Sequence, residues 1–229
     1  MNLTVFKYAF RRGLNIVSLV ANLGLPIVLI LFARGIFDDA SLGFLLIALM
    51  IMVGSFYMAK SIQEDKMTGV LMRILCGPVS MRSYLVQNFF ASMIPAMLQA
   101  IIVCVLGVII HGWQIEFAAL LALSYSMLSA STIGMSFAWS CVFKNKESSS
   151  AAFIALLTFA TFLGGFLIGL SSLPDILYYL GAILPGQWAV RSINELIAHG
   201  ATGTYWLAIL AMALFTIMFL LYGGKRRLV

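Results

Sequence analysis

Between Arg82 and Glu116 the chain carries no Asp, Glu, Lys or Arg, and most side chains in that interval are apolar. Such a run exceeds the roughly 20 residues that a helix needs to cross a bilayer. The same pattern recurs along the chain. Apolar stretches fall at approximately 14–37, 41–59, 84–110, 118–143, 151–170 and 204–222. With 62% hydrophobic and only 10% charged residues, this excess cannot hide in one water-soluble core. The expectation is an all-α integral membrane protein of six transmembrane helices, forming a single domain over residues 1–229. No period-two alternation supports a barrel, and three cysteines exclude a disulfide scaffold. The apolar run after Lys7, Arg11 and Arg12 is too long for a signal peptide core, so it reads as a retained span.

The charges then sort by side. One set of loops holds Lys7, Arg11, Arg12, Lys60, Lys66, Arg73, Arg82, Lys144, Lys146, Lys225, Arg226 and Arg227. The opposite set holds only Arg34 and Arg191, with Asp38, Asp39, Glu116, Asp175 and Glu195. Lys and Arg accumulate in cytoplasmic loops, so both termini are expected inside, as an even span number requires. The net charge of +6 is therefore topological, and nucleic acid is not an expected partner.

Three segments are not spans. In residues 1–12, Leu3, Phe6 and Phe10 recur at helical spacing while Lys7 and Arg11 take another face, the pattern of a helix lying in the headgroup layer. Residues 60–82 read as a cytoplasmic segment with Glu64 and Asp65 at a helix start. Leu71, Ile74 and Leu75 form its apolar stripe, Gly77-Pro78 ends it, and Ser80 is placed to cap the third span. Residues 171–203 are too interrupted to cross. Pro174, Pro185 and Gly186 divide them into short helices at roughly 174–183 and 187–199, with Arg191 and Glu195 at i, i+4 spacing and Gly200 as a C-cap.

The run Glu64, Asp65, Gly69, Leu71, Leu75, Pro78, Val79, Ser80 and Tyr84 resembles the coupling segment of type-2 ABC transporter permeases. The resemblance covers essentially the whole chain, including the N-terminal interfacial helix and the outer helical pair. It implies that Glu64, Asp65, Gly69, Leu71, Arg73, Ile74, Leu75 and Pro78 couple the chain to a separate ATPase. That ATPase would bind ATP and Mg, with no cofactor in this chain. It also implies a re-entrant outer helical pair, in which Pro185 and Trp188 serve as an extracellular gate. A homodimer, or a heterodimer with a paralogous permease, in a bacterial cell membrane follows from the same likeness.

No enzymatic motif is present. Gly224-Lys225 lacks the spacing of a phosphate-binding loop, and His111 and His199 have no partner at ligand or base spacing. The central helices contain no carboxylate or histidine, which argues against an ion-driven pump. Their polarity is neutral. Asn22 and Gln99 serve either a pathway or interhelical hydrogen bonds, since an amide in lipid needs a partner. Ser126, Ala130, Gly134 and Ala138 in span four, and Gly165 and Gly169 in span five, are most simply packing faces. Cys76, Cys104 and Cys141 read as small apolar filler. The function expected is an ATP-driven exporter permease moving a hydrophobic drug, antimicrobial peptide or lipid-linked glycan. An autonomous secondary transporter or channel is the alternative.

Overall fold

The computed structural model describes residues 4–13, 24–32, 41–77, 79–142, 146–167 and 174–225. Its helices, in chain order, are α1 (Thr4–Gly13), α2 (Leu25–Phe32), α3 (Leu42–Met67), α4 (Val70–Leu75) and α5 (Met81–His111). There follow α6 (Ile115–Val142), α7 (Lys146–Gly164), α8 (Asp175–Gly181), α9 (Pro185–His199) and α10 (Gly203–Lys225). No strand occurs among the described residues.

Four helices are long and apolar enough to cross a membrane, over Leu42–Lys66, Met81–His111, Ile115–Ser140 and Gly203–Gly223. They correspond to expected spans two, three, four and six. Among the described residues, span one is represented by α2 and span five by α7, whose apolar part is the shorter Ile154–Gly164.

Helix α6 is the axis of the bundle. It packs against α3, α5, α9 and α10, and residues 128–138 along it are all buried. Several of its hydroxyls are satisfied within the helix: Thr132 and Ser136 donate to the carbonyls of Leu128 and Thr132 at 2.9 and 2.8 Å. Back-bonding of this kind lets a serine-rich face sit inside a membrane bundle without an external partner. Gly134 brings α6 against α10, where an added Cβ would stand 3.4 Å from the Thr216 carbonyl. The small-residue stripe thus packs at Gly134. Higher up, Ser126 and Ala130 instead line an apolar groove of about 530 Å³ with Phe89, Met93, Met97 and Thr216.

Several expectations are corrected. Helix α3 does not stop near residue 59 but continues to Met67, so Glu64 and Asp65 occupy its last turn and not a helix start. Nothing between Lys60 and Met67 breaks a helix, and Ile62 is buried there, so the span runs on beyond its apolar stretch. Helix α7 ends at Gly164, and Gly165 takes a left-handed turn at φ 77°, so Gly165 does not sit on a helical packing face as expected. Gly169 lies outside the described residues. Cys104 is buried as expected, whereas Cys76 is exposed.

The two ends of the bundle are distinct. At one, Lys66 Nζ donates to the Ser140 carbonyl at 3.3 Å, joining the ends of α3 and α6 beside α4. At the other, the Tyr205 hydroxyl donates to the Leu120 carbonyl at 2.8 Å, joining the starts of α10 and α6. His111 Nε2 lies 3.1 Å from the Ile30 carbonyl and ties α2 to the end of α5.

Candidate functional site

The short α4 and its two neighbouring helices form the most tightly specified non-spanning unit. Thr68 closes α3, its amide and hydroxyl both donating to the Glu64 carbonyl at 2.9 and 2.8 Å. Gly69 follows at φ 72°, a left-handed conformation that a side chain resists, and reverses the chain into α4. Helix α4 closes when the Cys76 and Gly77 amides reach back to the carbonyls of Met72 and Ile74. Ser80 then caps α5 as expected, its Oγ accepting from the Ser83 amide at 3.3 Å. Pro78 lies outside the described residues.

A hydrophobic cluster separate from the main core holds this unit. It joins Val5, Ile62, Leu71, Tyr84, Leu85, Phe89, Ile133 and Phe137, drawn from α1, α3, α4, α5 and α6. Ile74 and Leu75 are half-buried against it. The stripe read from the sequence therefore faces inward, and the surface it leaves outside carries Met72 (59% exposed), Arg73 and Cys76.

Within the cluster lies a contact between a carboxyl and a phenol. Asp65 is 2% exposed, and its Oδ2 accepts a hydrogen bond from the Tyr84 hydroxyl at 2.6 Å. This bond spans the whole turn, joining the last turn of α3 to the first turn of α5. Asn88 adds a bond from its Nδ2 to the Tyr84 carbonyl at 3.0 Å. Glu64 is half-buried at the same turn. Asp65 thus positions the segment from within and offers no surface to a partner.

The N-terminal helix belongs to the same unit. Phe6 and Phe10 stack 6.0 Å apart, with Lys7 and Arg11 exposed, in keeping with the amphipathic pattern. The burial, however, is supplied by Val5, and the Phe6 amide donates to Gln87 Oε1 at 3.1 Å. Gln87 in turn donates to Ser83 Oγ at 3.0 Å. Neither Val5 nor Gln87 was legible as a contact, because the pairing depends on how α1 folds back on α5. Leu3 lies outside the described residues.

The sequence matches the family described as ABC-2 family transporter protein over residues 19–224. The chain belongs to that family. It is a membrane-embedded transport subunit, which in this family is separate from the ATPase. No curated protein gave a significant match.

At the opposite end of this ABC-2 permease, α8 and α9 form a second non-spanning pair. Pro185 occupies the first position of α9, where its missing N–H removes nothing from the helix, and the helix runs to Gly200 as its C-cap. Ala189, Val190, Ile193 and Leu196 bury into the main core. Trp188 Nε1 donates to the Ala182 carbonyl at 2.8 Å, and Gln187 Nε2 to the Tyr178 carbonyl at 3.0 Å. Gly181 is required by close approach: an added Cβ would collide with the Leu163 carbonyl. The expected Arg191–Glu195 pair is replaced. Glu195 accepts from the Thr202 hydroxyl at 2.7 Å and lies 3.7 Å from His199, which is therefore not alone.

Gln99 is fully buried on α5. Asn22 lies outside the described residues. Two buried hydroxyls that the sequence reading passed over, Ser55 on α3 and Ser129 on α6, find no acceptor among the described residues. No group of three or more His, Cys, Asp or Glu could hold a metal among those residues.

Proposed function

We propose that this permease is the membrane half of an ATP-driven exporter, with six spans and both termini in the cytoplasm. Two copies, or this chain and a paralogue, pair around the route. A separate ATPase, which carries the ATP and Mg, seats against the outer face of α4 at Met72, Arg73 and Cys76. The observation that carries this reading is the Asp65–Tyr84 bond inside the α1–α3–α4–α5 cluster. Because Leu71 is buried among residues of α3 and α5, a push on α4 moves both long helices together. Rocking those helices switches the route from inward to outward access, while α8 and α9 close the far end around Pro185 and Trp188.

The cargo that suits the interior is apolar or amphipathic: a drug, an antimicrobial peptide or a lipid-linked glycan. Neutral hydroxyls and amides line the bundle, and fixed charge is absent from the described middle of the long helices. Co-expression with a soluble ATPase, followed by co-purification and ATPase assay in lipid, tests the reading. Helix-breaking changes at Leu71 and Leu75 are expected to abolish complex formation and coupled ATP hydrolysis. Transport by the purified chain alone under an ion gradient would instead establish an autonomous secondary transporter or channel.

A further inference from the structure

At the end of the bundle formed by α8 and α9 lies a cation, Arg191, whose Nε has no acceptor among the described residues. The Arg191 guanidinium carbon lies 4.7 Å from the ring centroids of both Tyr178 and Trp188. Both residues are held: Trp188 by its bond to Ala182, Tyr178 through its carbonyl and Gln187. The carboxylate one turn along, Glu195, is engaged with Thr202 and His199. Arg191 Nε is buried and has no acceptor among the described residues.

Aromatic contact is made with the face of a guanidinium and leaves its in-plane N–H groups to seek oxygen. A buried donor of a charged group left unmade is destabilising, so an acceptor from outside the chain is favoured. The planar fork matches two oxygens of one phosphate group. On and just after the same α8 that supplies Tyr178, Ile176, Tyr179, Leu180 and Ile183 are exposed large apolar side chains. A free anion would satisfy the arginine and leave that apolar surface uncovered. A phospholipid covers both with one molecule, its phosphodiester on Arg191 and its chains along α8. Trp and Tyr at this position fit the headgroup depth of a bilayer.

We propose that Arg191, framed by Tyr178 and Trp188, binds the phosphodiester of a phospholipid in the leaflet that α8 and α9 face. The site requires only the membrane setting of the chain and no ATPase, so it stands or falls apart from the coupling reading.

Native mass spectrometry of the purified chain in detergent tests it with three probes: phosphatidylglycerol, a phosphate-free galactolipid of matching chains, and inorganic phosphate. Phosphatidylglycerol is expected to be retained, the galactolipid lost, and phosphate to be a poor competitor. Arg191→Met should weaken phosphatidylglycerol retention by about tenfold, the scale of one charge-assisted hydrogen bond. Arg191→Lys keeps the charge, removes the fork and guards against a folding defect; it should fall between the two. Arg82→Met makes the same charge change at the other end of the bundle and should leave retention unchanged. Equal retention by the Met or Lys variants, equal retention of the galactolipid, or an equal loss in Arg82→Met would each overturn the proposal. Displacement of the lipid by inorganic phosphate would assign the site to a free anion and overturn it as well.

Discussion

The unit built on α4 and the pair formed by α8 and α9 solve the same problem in opposite ways. Each is a short helical element between long helices, and each buries an apolar stripe while leaving one face outside. Around α4 the outer surface is a mixture of Met72, Arg73, Cys76 and Arg82, and the anchoring contact is a carboxylate–phenol bond. On and just after α8 the outer surface carries Ile176, Tyr179, Leu180 and Ile183, with the exposed Asp175 at the helix start, and Arg191 is wrapped by rings. A mixed charged surface is suited to a water-soluble protein partner, and an aromatic and aliphatic one to lipid. On the proposed reading, what differs is the surroundings each face meets.

The largest effect is expected at Gly181. Gly181→Val drives a side chain into the Leu163 carbonyl, and overpacking of this kind costs about 1–3 kcal/mol or more. Thermal unfolding in detergent should show a marked drop in Tm, and an unchanged Tm would mean that α7 and α8 are not in close approach. Tyr84→Phe keeps the ring and removes the donor to buried Asp65, costing about 1–3 kcal/mol at the α4 end. Its coupled ATPase activity should fall more than its binding to the ATPase, since the outer face of α4 is untouched. If binding falls first, Asp65 and Tyr84 shape the docking surface and not the lever.

Gly69→Ala places a side chain at φ 72°, where a left-handed residue costs about 1–2 kcal/mol. A denaturation midpoint should register that loss. Arg73→Ala should be the mildest, within about 0.5 kcal/mol of the parent in stability because the side chain is exposed. Its expected effect is weaker capture of the ATPase in a pull-down, separating docking from folding.

Much of the α4 unit was legible in the sequence because its signals are local. The Leu71 stripe, the Ser80 cap and the helix stop near Gly77 each follow from neighbours within one or two turns. Misplacing Glu64 and Asp65 has a clear cause. A span boundary drawn where hydropathy falls assumes that the helix ends with the membrane, whereas α3 continues through polar residues that favour helix. The Arg191–Glu195 pair failed for a complementary reason: spacing permits an ion pair, but Thr202 and the two rings compete for the same groups. The Gly165–Gly169 motif presumed an unbroken helix that ends at Gly164.

The sequence alone determined that the chain is a multi-pass membrane protein and, to within a turn or two, where its long apolar helices lie, because hydropathy and backbone preference act through near neighbours. Only the tertiary structure decided that Val5 and Gln87 fasten α1 to α5, that Asp65 turns inward to Tyr84, and that Arg191 has rings for company in place of Glu195. Those contacts join residues of separate helices, or choose among rivals at equal spacing. In both cases the outcome depends on which groups packing brings within hydrogen-bonding distance.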